Sequence, residues 1–141
     1  MNTLHTASIL LVSAAAWASS HSDDSISFTK TGQGAIGFLA ITNVDLVVID
    51  SSLPDMSPWD LVGKLRLAWP WQKWALVGVE LTASDEARAR ELGVTGVFDG
   101  RPTRAMLGEF AKSLRRRTSP RAEPVPRRAR ARPADLKKEL A

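Results

Sequence analysis

A chain of 141 residues with 44% apolar content can build one hydrophobic core and is short for two domains. It has no cysteine, which excludes disulfides, thiolate metal sites and cysteine nucleophiles, and with only His5 and His21 as imidazoles a hydrolase triad or closed zinc site lacks raw material. The net charge of +4 conceals a division: from Lys112 onward there are 11 Lys/Arg against 3 Asp/Glu, leaving 8 against 12 in residues 1–111, so an acidic body carries a basic tail.

In chain order, the first apolar run covers residues 7–18 and admits two readings. Its Ala-Trp-Ala ending has the small residues of a secretory cleavage site, yet residues 1–6 contain no Lys or Arg, and the run is too short to span a bilayer. The other reading makes Ser-Ile-Leu-Leu-Val, residues 8–12, the first strand of a sheet. Residues 26–29 give a second, short strand, and residues 33–41 a helix with Ala35, Ile36, Leu39 and Ala40 at helical spacing. Residues 45–50 form a third strand. Ser57 reads as an N-cap and Pro58 as a first helical residue, opening a helix to residue 69 whose apolar side chains are Trp59, Leu61, Val62, Leu65 and Leu67. A fourth strand covers residues 74–79, a helix at 84–92 stops at Gly93, and a fifth strand covers 94–98. The last helix, residues 104–114, places Met106, Leu107, Phe110, Ala111 and Leu114 on one face. Strands alternating with helices imply βαβ crossovers and a parallel sheet covered on both faces. That sheet needs residues 8–12 beside its third strand.

The third strand, Asp-Leu-Val-Val-Ile-Asp, is apolar on both faces and ends on a carboxylate. Open α/β sheets place their chemistry at the carboxyl ends of such strands, so Asp50 is a site candidate. The plainer alternative is an Asx-type turn in which Asp50 bonds the amides of Ser52 or Leu53. Trp69, Trp71 and Trp74 cluster before the fourth strand, where they pack the loop; an exposed one would suit a partner, since Trp is frequent in interface hot spots. Arg88 and Arg90 read as solvated.

The stretch TKTGQGAIGFLAITNVDLVVIDSSLPDMSPWDLVGKLR, residues 29–66, resembles the receiver domain of two-component response regulators. In that family a Gly and an Ala open the second helix, an Asp begins the third strand and the phosphorylated Asp ends it; here these fall on Gly32, Ala35, Asp45 and Asp50. Leu53-Pro54-Asp55-Met56 is similar to the family's loop after the acceptor, and ELGVTGVFDGRP, residues 91–102, looks like the end of the same domain. The resemblance covers residues 8–116. It implies a flavodoxin-like (CheY-like) doubly wound sheet of five parallel strands, with a receiver-like domain over residues 7–117 and a tail over 118–141.

The resemblance also implies chemistry that this sequence departs from. Receivers hold Mg²⁺ beside the acceptor with an acidic pair after the first strand, where this chain has Ser13 and Ala14. Asp23 and Asp24 come too late, in a first helix that is short for the family, so the expectation is no metal site, no cofactor and no catalytic residue. A Thr or Ser after the fourth strand bonds the phosphoryl group in the family; the spacing back from Gly93 lands on Gly78, with Thr82 beyond it. The switch aromatic corresponds to Phe98. The family's Lys corresponds to Arg101 before Pro102, or to Gly100 if the segment is one residue long. The resemblance therefore implies a cytoplasmic signalling module, not an enzyme, with Asp50 as phosphoacceptor candidate and a histidine kinase or downstream signalling protein as partner. The departures point to a phosphorylation-impaired pseudo-receiver that works by protein–protein contact.

The tail has four prolines and almost no large apolar residue after residue 118, so it reads as disordered, with a short helix at 133–140 as an option. Arg115, Arg116, Arg117, Arg127, Arg128, Arg130 and Arg132 would let it bind nucleic acid weakly and without sequence preference, or simply keep the protein soluble. The rival expectation from another class is a secreted basic protein with a cleaved N-terminal signal.

Overall fold

The computed structural model describes residues 7–117, with side chains as far as Leu114. The chain divides into two units, Met1–Ala111 and Lys112–Ala141. Of the second, only the end of the last helix is described. The readings of the tail as disordered and as a nucleic-acid arm lie outside the described residues.

The elements alternate: β1 Ile9–Val12, α1 Ala16–Ser20, β2 Ile26–Thr29, α2 Gly32–Ile41, β3 Leu46–Asp50, α3 Pro58–Ala68, β4 Trp74–Gly78, α4 Ala83–Glu91, β5 Gly96–Asp99 and α5 Arg104–Arg117. The strands form one sheet in the order β2-β1-β3-β4-β5, and every ladder is parallel. Composition sets this order. ILLV, LVVID and WALVG are buried throughout, as strands covered on both faces must be, whereas ISFT and GVFD keep partly exposed residues and take the two edges. The apolar run at residues 9–12 is thus a central strand, paired on both sides.

Side-chain alternation splits the core into two layers. Leu10, Val12, Val47, Ile49, Trp74 and Leu76 pack with Ala35 and Leu39 of α2, Leu61, Val62 and Leu65 of α3, and Ala89 of α4. The opposite row, Ile9, Leu11, Leu46, Val48, Ala75 and Val77, is equally buried, as are Ala18 of α1 and Leu107 and Ala111 of α5. Helix caps follow the sequence. The Ser57 hydroxyl accepts from Asp60 N–H at 3.0 Å with Pro58 at the first helical position, as the pattern predicts.

Some local expectations need correction. Helix α4 begins at Ala83, not Ser84, because Thr82 and Asp85 form a reciprocal capping box. Asp23 and Asp24 lie in the loop after α1, not inside it. Met106 is 52% exposed and does not share the buried face of Leu107 and Ala111. The tryptophans separate: Trp74 is buried in β4, Trp69 packs on the core edge, and Trp71 is 71% exposed. Arg88 is more than solvated, since its guanidinium lies 5.3 Å from the Trp59 ring centroid, a cation–π contact between α4 and α3. Among the described residues, no helix is long and apolar enough to cross a membrane.

Candidate functional site

The β1–β3 register aligns Val12 with Ile49, so the next residues, Ser13 and Asp50, leave the sheet side by side at its carboxyl end. Both are buried, Ser13 at 1% exposure and Asp50 at 7%. The Ser13 hydroxyl donates to Asp50 Oδ2 at 2.6 Å, and the Ser52 N–H donates to Oδ1 at 3.1 Å. Ser13 Oγ in turn accepts from the Ala15 N–H at 3.1 Å, which fixes the hydroxyl so that its proton faces the carboxylate. A hydroxyl and an amide thus satisfy the buried carboxylate from opposite sides. The Ser52 bond is the Asx-type turn expected from the sequence. The Ser13 bond goes beyond the sequence reading, which takes Ser13 as the absence of an acid; its signal is a polar residue at the end of a buried strand, in register with Asp50.

The loop after Asp50 is tied down a second time. Asp55 Oδ1 accepts from Gly32 N–H at 2.9 Å and Oδ2 from Gln33 N–H at 3.0 Å, joining the β3–α3 connection to the first turn of α2. These two backbone donors, Gly32 first, hold the Asp55 carboxyl below its ordinary value of 3.8. The Met56 side chain packs over Gly32, where a β-carbon would lie 2.6 Å from Sδ and would have to displace it.

The β5–α5 connection closes the same end differently. Gly100 takes φ of 101°, a conformation that favours glycine, and its N–H donates to the Gly78 carbonyl at 2.7 Å. The Trp17 indole N–H reaches across from α1 to the Pro102 carbonyl at 3.1 Å. Arg101 is exposed and borders a cavity of about 250 Å³ with Val97, Phe98, Asp99, Pro102 and Met106. A second hollow of about 340 Å³ lies along the other side of β5, lined by Glu86, Arg90, Val94, Thr95, Gly96, Val97 and Asp99. Phe98 is half-buried, with its ring edge-to-face on Phe110 at 5.3 Å.

Neither the family models nor the curated proteins give a match to this sequence. Solved structures do. The receiver domain of HemR from Leptospira biflexa shares 25% identity at a TM-score of 0.64, over 84% of this chain and 98% of that one. The receiver domain of a signal transduction histidine kinase from Syntrophus aciditrophicus superposes at 0.66 with 20% identity, over 85% and 97% of the two chains. A CheY-like receiver from Methanospirillum hungatei gives 0.63 with 16% identity, over 79% and 96%. The fold is that of a response regulator receiver domain.

Within the receiver fold, the positions singled out from the sequence are partly brought together. Asp50 ends β3, as the acceptor does. Ser13 and Ala14 follow β1, and Ser13 places its hydroxyl on Asp50. Gly78 ends β4 beside Ser51, on the strand face opposite to Asp50. Thr82 is committed elsewhere, its hydroxyl accepting from Asp85 N–H at 3.0 Å as the cap of α4. Asp23 turns the chain into β2 and pairs with Arg104 at 3.3 Å. Its carboxyl sits below the ordinary value, first through the Ser25 N–H and lastly through Arg104. Among the described residues no Lys or Arg reaches ion-pair distance of Asp50, and no three His, Cys, Asp or Glu side chains gather to hold a metal.

Proposed function

We propose that the chain is a pseudo-receiver: a two-component signalling module that acts by docking to a histidine kinase or a downstream signalling protein, without phosphorylation of Asp50 and without catalysis of its own. The observation that carries this reading is the 2.6 Å bond from Ser13 to Asp50. Phosphoryl transfer to a carboxylate needs cationic neutralisation of the transferred group. A hard dication wants about six oxygen ligands, several of them anionic, and one carboxylate already engaged by a hydroxyl and an amide is a poor start. The Mg²⁺ site of the family is on this reading lost, and no cofactor replaces it. With no metal and no cation at Asp50, a phosphoryl group would gain little that distinguishes one conformation from another, and a modification without differential interaction shifts no equilibrium. The docking face is α4, β5 and α5, where both hollows border the edge strand β5. Such a module works in the cytoplasm, where its kinase partners expose their signalling domains.

Incubation with acetyl phosphate followed by intact-mass measurement tests the reading. The expected result is no adduct, and wild-type output in cells carrying Asp50→Asn, together with weakened output when Arg90 or Arg104 is reversed in charge. A stoichiometric, base-labile adduct lost in Asp50→Asn, with an output that depends on Asp50, would falsify it.

A further inference from the structure

The connections that follow β3 and β4 meet at one point. Ser51 succeeds Asp50, and its N–H donates to the Val77 carbonyl at 2.8 Å, which carries the β3–β4 ladder one residue past Asp50 and brings Ser51 against Gly78. A β-carbon on Gly78 would overlap Ser51 Oγ, lie 3.0 Å from Ser51 Cβ and 2.8 Å from Leu81 Cδ2. The space that a side chain at 78 would need is therefore filled by Ser51 and Leu81. Beyond Gly78 the backbone makes a tight reversal. Glu80 takes φ of 63°, a left-handed conformation that non-glycine residues adopt only where surrounding contacts hold it. Leu81 then turns back onto the core and onto the same point, and Thr82 caps α4.

We propose that Ser51 is the wedge that holds this reversal, so that the Asp50 loop and the first turn of α4 behave as one unit, locked by a side chain from the β3–α3 connection in place of one from β4. The lock rests on the reading of the Asp50 loop as the signalling end of the domain. It fixes the α4 part of the docking face from inside. Removing the Ser51 side chain loosens Leu81 and the Glu80 turn together, because Leu81 packs at the same point as Ser51 and directly follows Glu80 in the chain.

The test is a mutant cycle on the full-length chain with Ser51→Gly, Gly78→Ala and the double variant, read by thermal unfolding and by amide hydrogen exchange. Gly78→Ala lowers Tm in the wild-type background and by less than half as much in the Ser51→Gly background. Ser51→Gly alone speeds exchange in residues 86–89, the first amides of α4 with backbone acceptors, by about tenfold and leaves β1 unchanged. Equal drops in both backgrounds would refute the packing argument, and unchanged exchange in residues 86–89 would refute the coupling. The exchange experiment needs Ser51→Gly only, so it decides the coupling even where Gly78→Ala does not fold. Neither readout involves a partner or a phosphoryl group, so the docking reading can fail while the lock stands, and the reverse.

Discussion

The two connections at the carboxyl end of the receiver sheet are held in opposite ways. Residues 51–57 are fastened by side chains: Asp50 to Ser13 and Ser52, Asp55 to the amides of α2, Met56 over Gly32, and Ser57 to the start of α3. Residues 100–103 are shaped chiefly by backbone: a positive φ at Gly100, its N–H on the Gly78 carbonyl, and the Pro102 carbonyl taken by Trp17. The first arrangement holds the Asp50 carboxylate at the end of β3 by a hydroxyl and an amide. In the second, the chain turns at Gly100, and Arg101 stands in solvent. The bonds that position Asp50 thus come from the end of β1 and from its own loop, and among the described residues none comes from the β5–α5 connection.

The largest effect that sharpens this contrast belongs to Ser13. Ser13→Ala leaves Asp50 Oδ2 buried with no hydroxyl donor, and an unsatisfied buried acceptor of this kind costs about 1–3 kcal/mol. Urea unfolding should show that loss. Arg101→Ala on the other connection should stay within about 0.5 kcal/mol of wild type, as exposed residues without partners do. Comparable losses from the two variants would break the comparison, because they would mean that Arg101 supports Asp50 after all.

The sequence carried the order and type of the elements, with ends off by one or two residues as at β5, since three fully apolar strands and two half-exposed ones can be ordered in only a few ways under a parallel, right-handed rule. It carried Asp50 and its Asx turn for the same reason: strand end and turn are local. What it did not carry is contact across the sheet. Ser13 on Asp50 spans 37 residues and depends on register, as does the meeting of Ser51 with Gly78, and Leu81 reaches that same point only through a backbone reversal at Glu80 that no residue type announces. Met106 failed for a related reason, since helical spacing gives the stripe but not how far the sheet beneath it extends.

A smaller effect separates backbone from packing. Gly100 and Gly37 both have open space where a β-carbon would go, but Gly100 sits at φ of 101° while Gly37 lies in the middle of α2. Gly100→Ala should therefore lower stability and Gly37→Ala raise it, each by about 1 kcal/mol. Equal signs in the two unfolding curves would show that the β5–α5 path is not set by the Gly100 conformation.

The smallest effect is assigned to charge only by its pH dependence and concerns Asp55, which is exposed yet accepts two backbone N–H bonds from α2. Its carboxyl is held below 3.8 in the folded protein, first by Gly32 and then by Gln33, so the fold favours the ionised form. A depressed folded value gives stability that is complete above the unfolded pKa of 3.8 and drains away as the pH falls through the folded one. Asp55→Asn keeps one carbonyl acceptor and loses the charge that favours a helix N-terminus. Its Tm should lie below wild type at neutral pH and approach wild type as the solution is acidified past 3.8. Asp23 is depressed in the same direction, mainly by the Ser25 N–H, but is present in both proteins and so cancels from the difference. A Tm gap that stays constant through this range would mean that Asp55 acts by shape alone. In that case the tether between the Asp50 loop and α2 is Met56 against Gly32, and Met56→Ala should loosen the Gly32 and Gln33 amides to hydrogen exchange more than Asp55→Asn does.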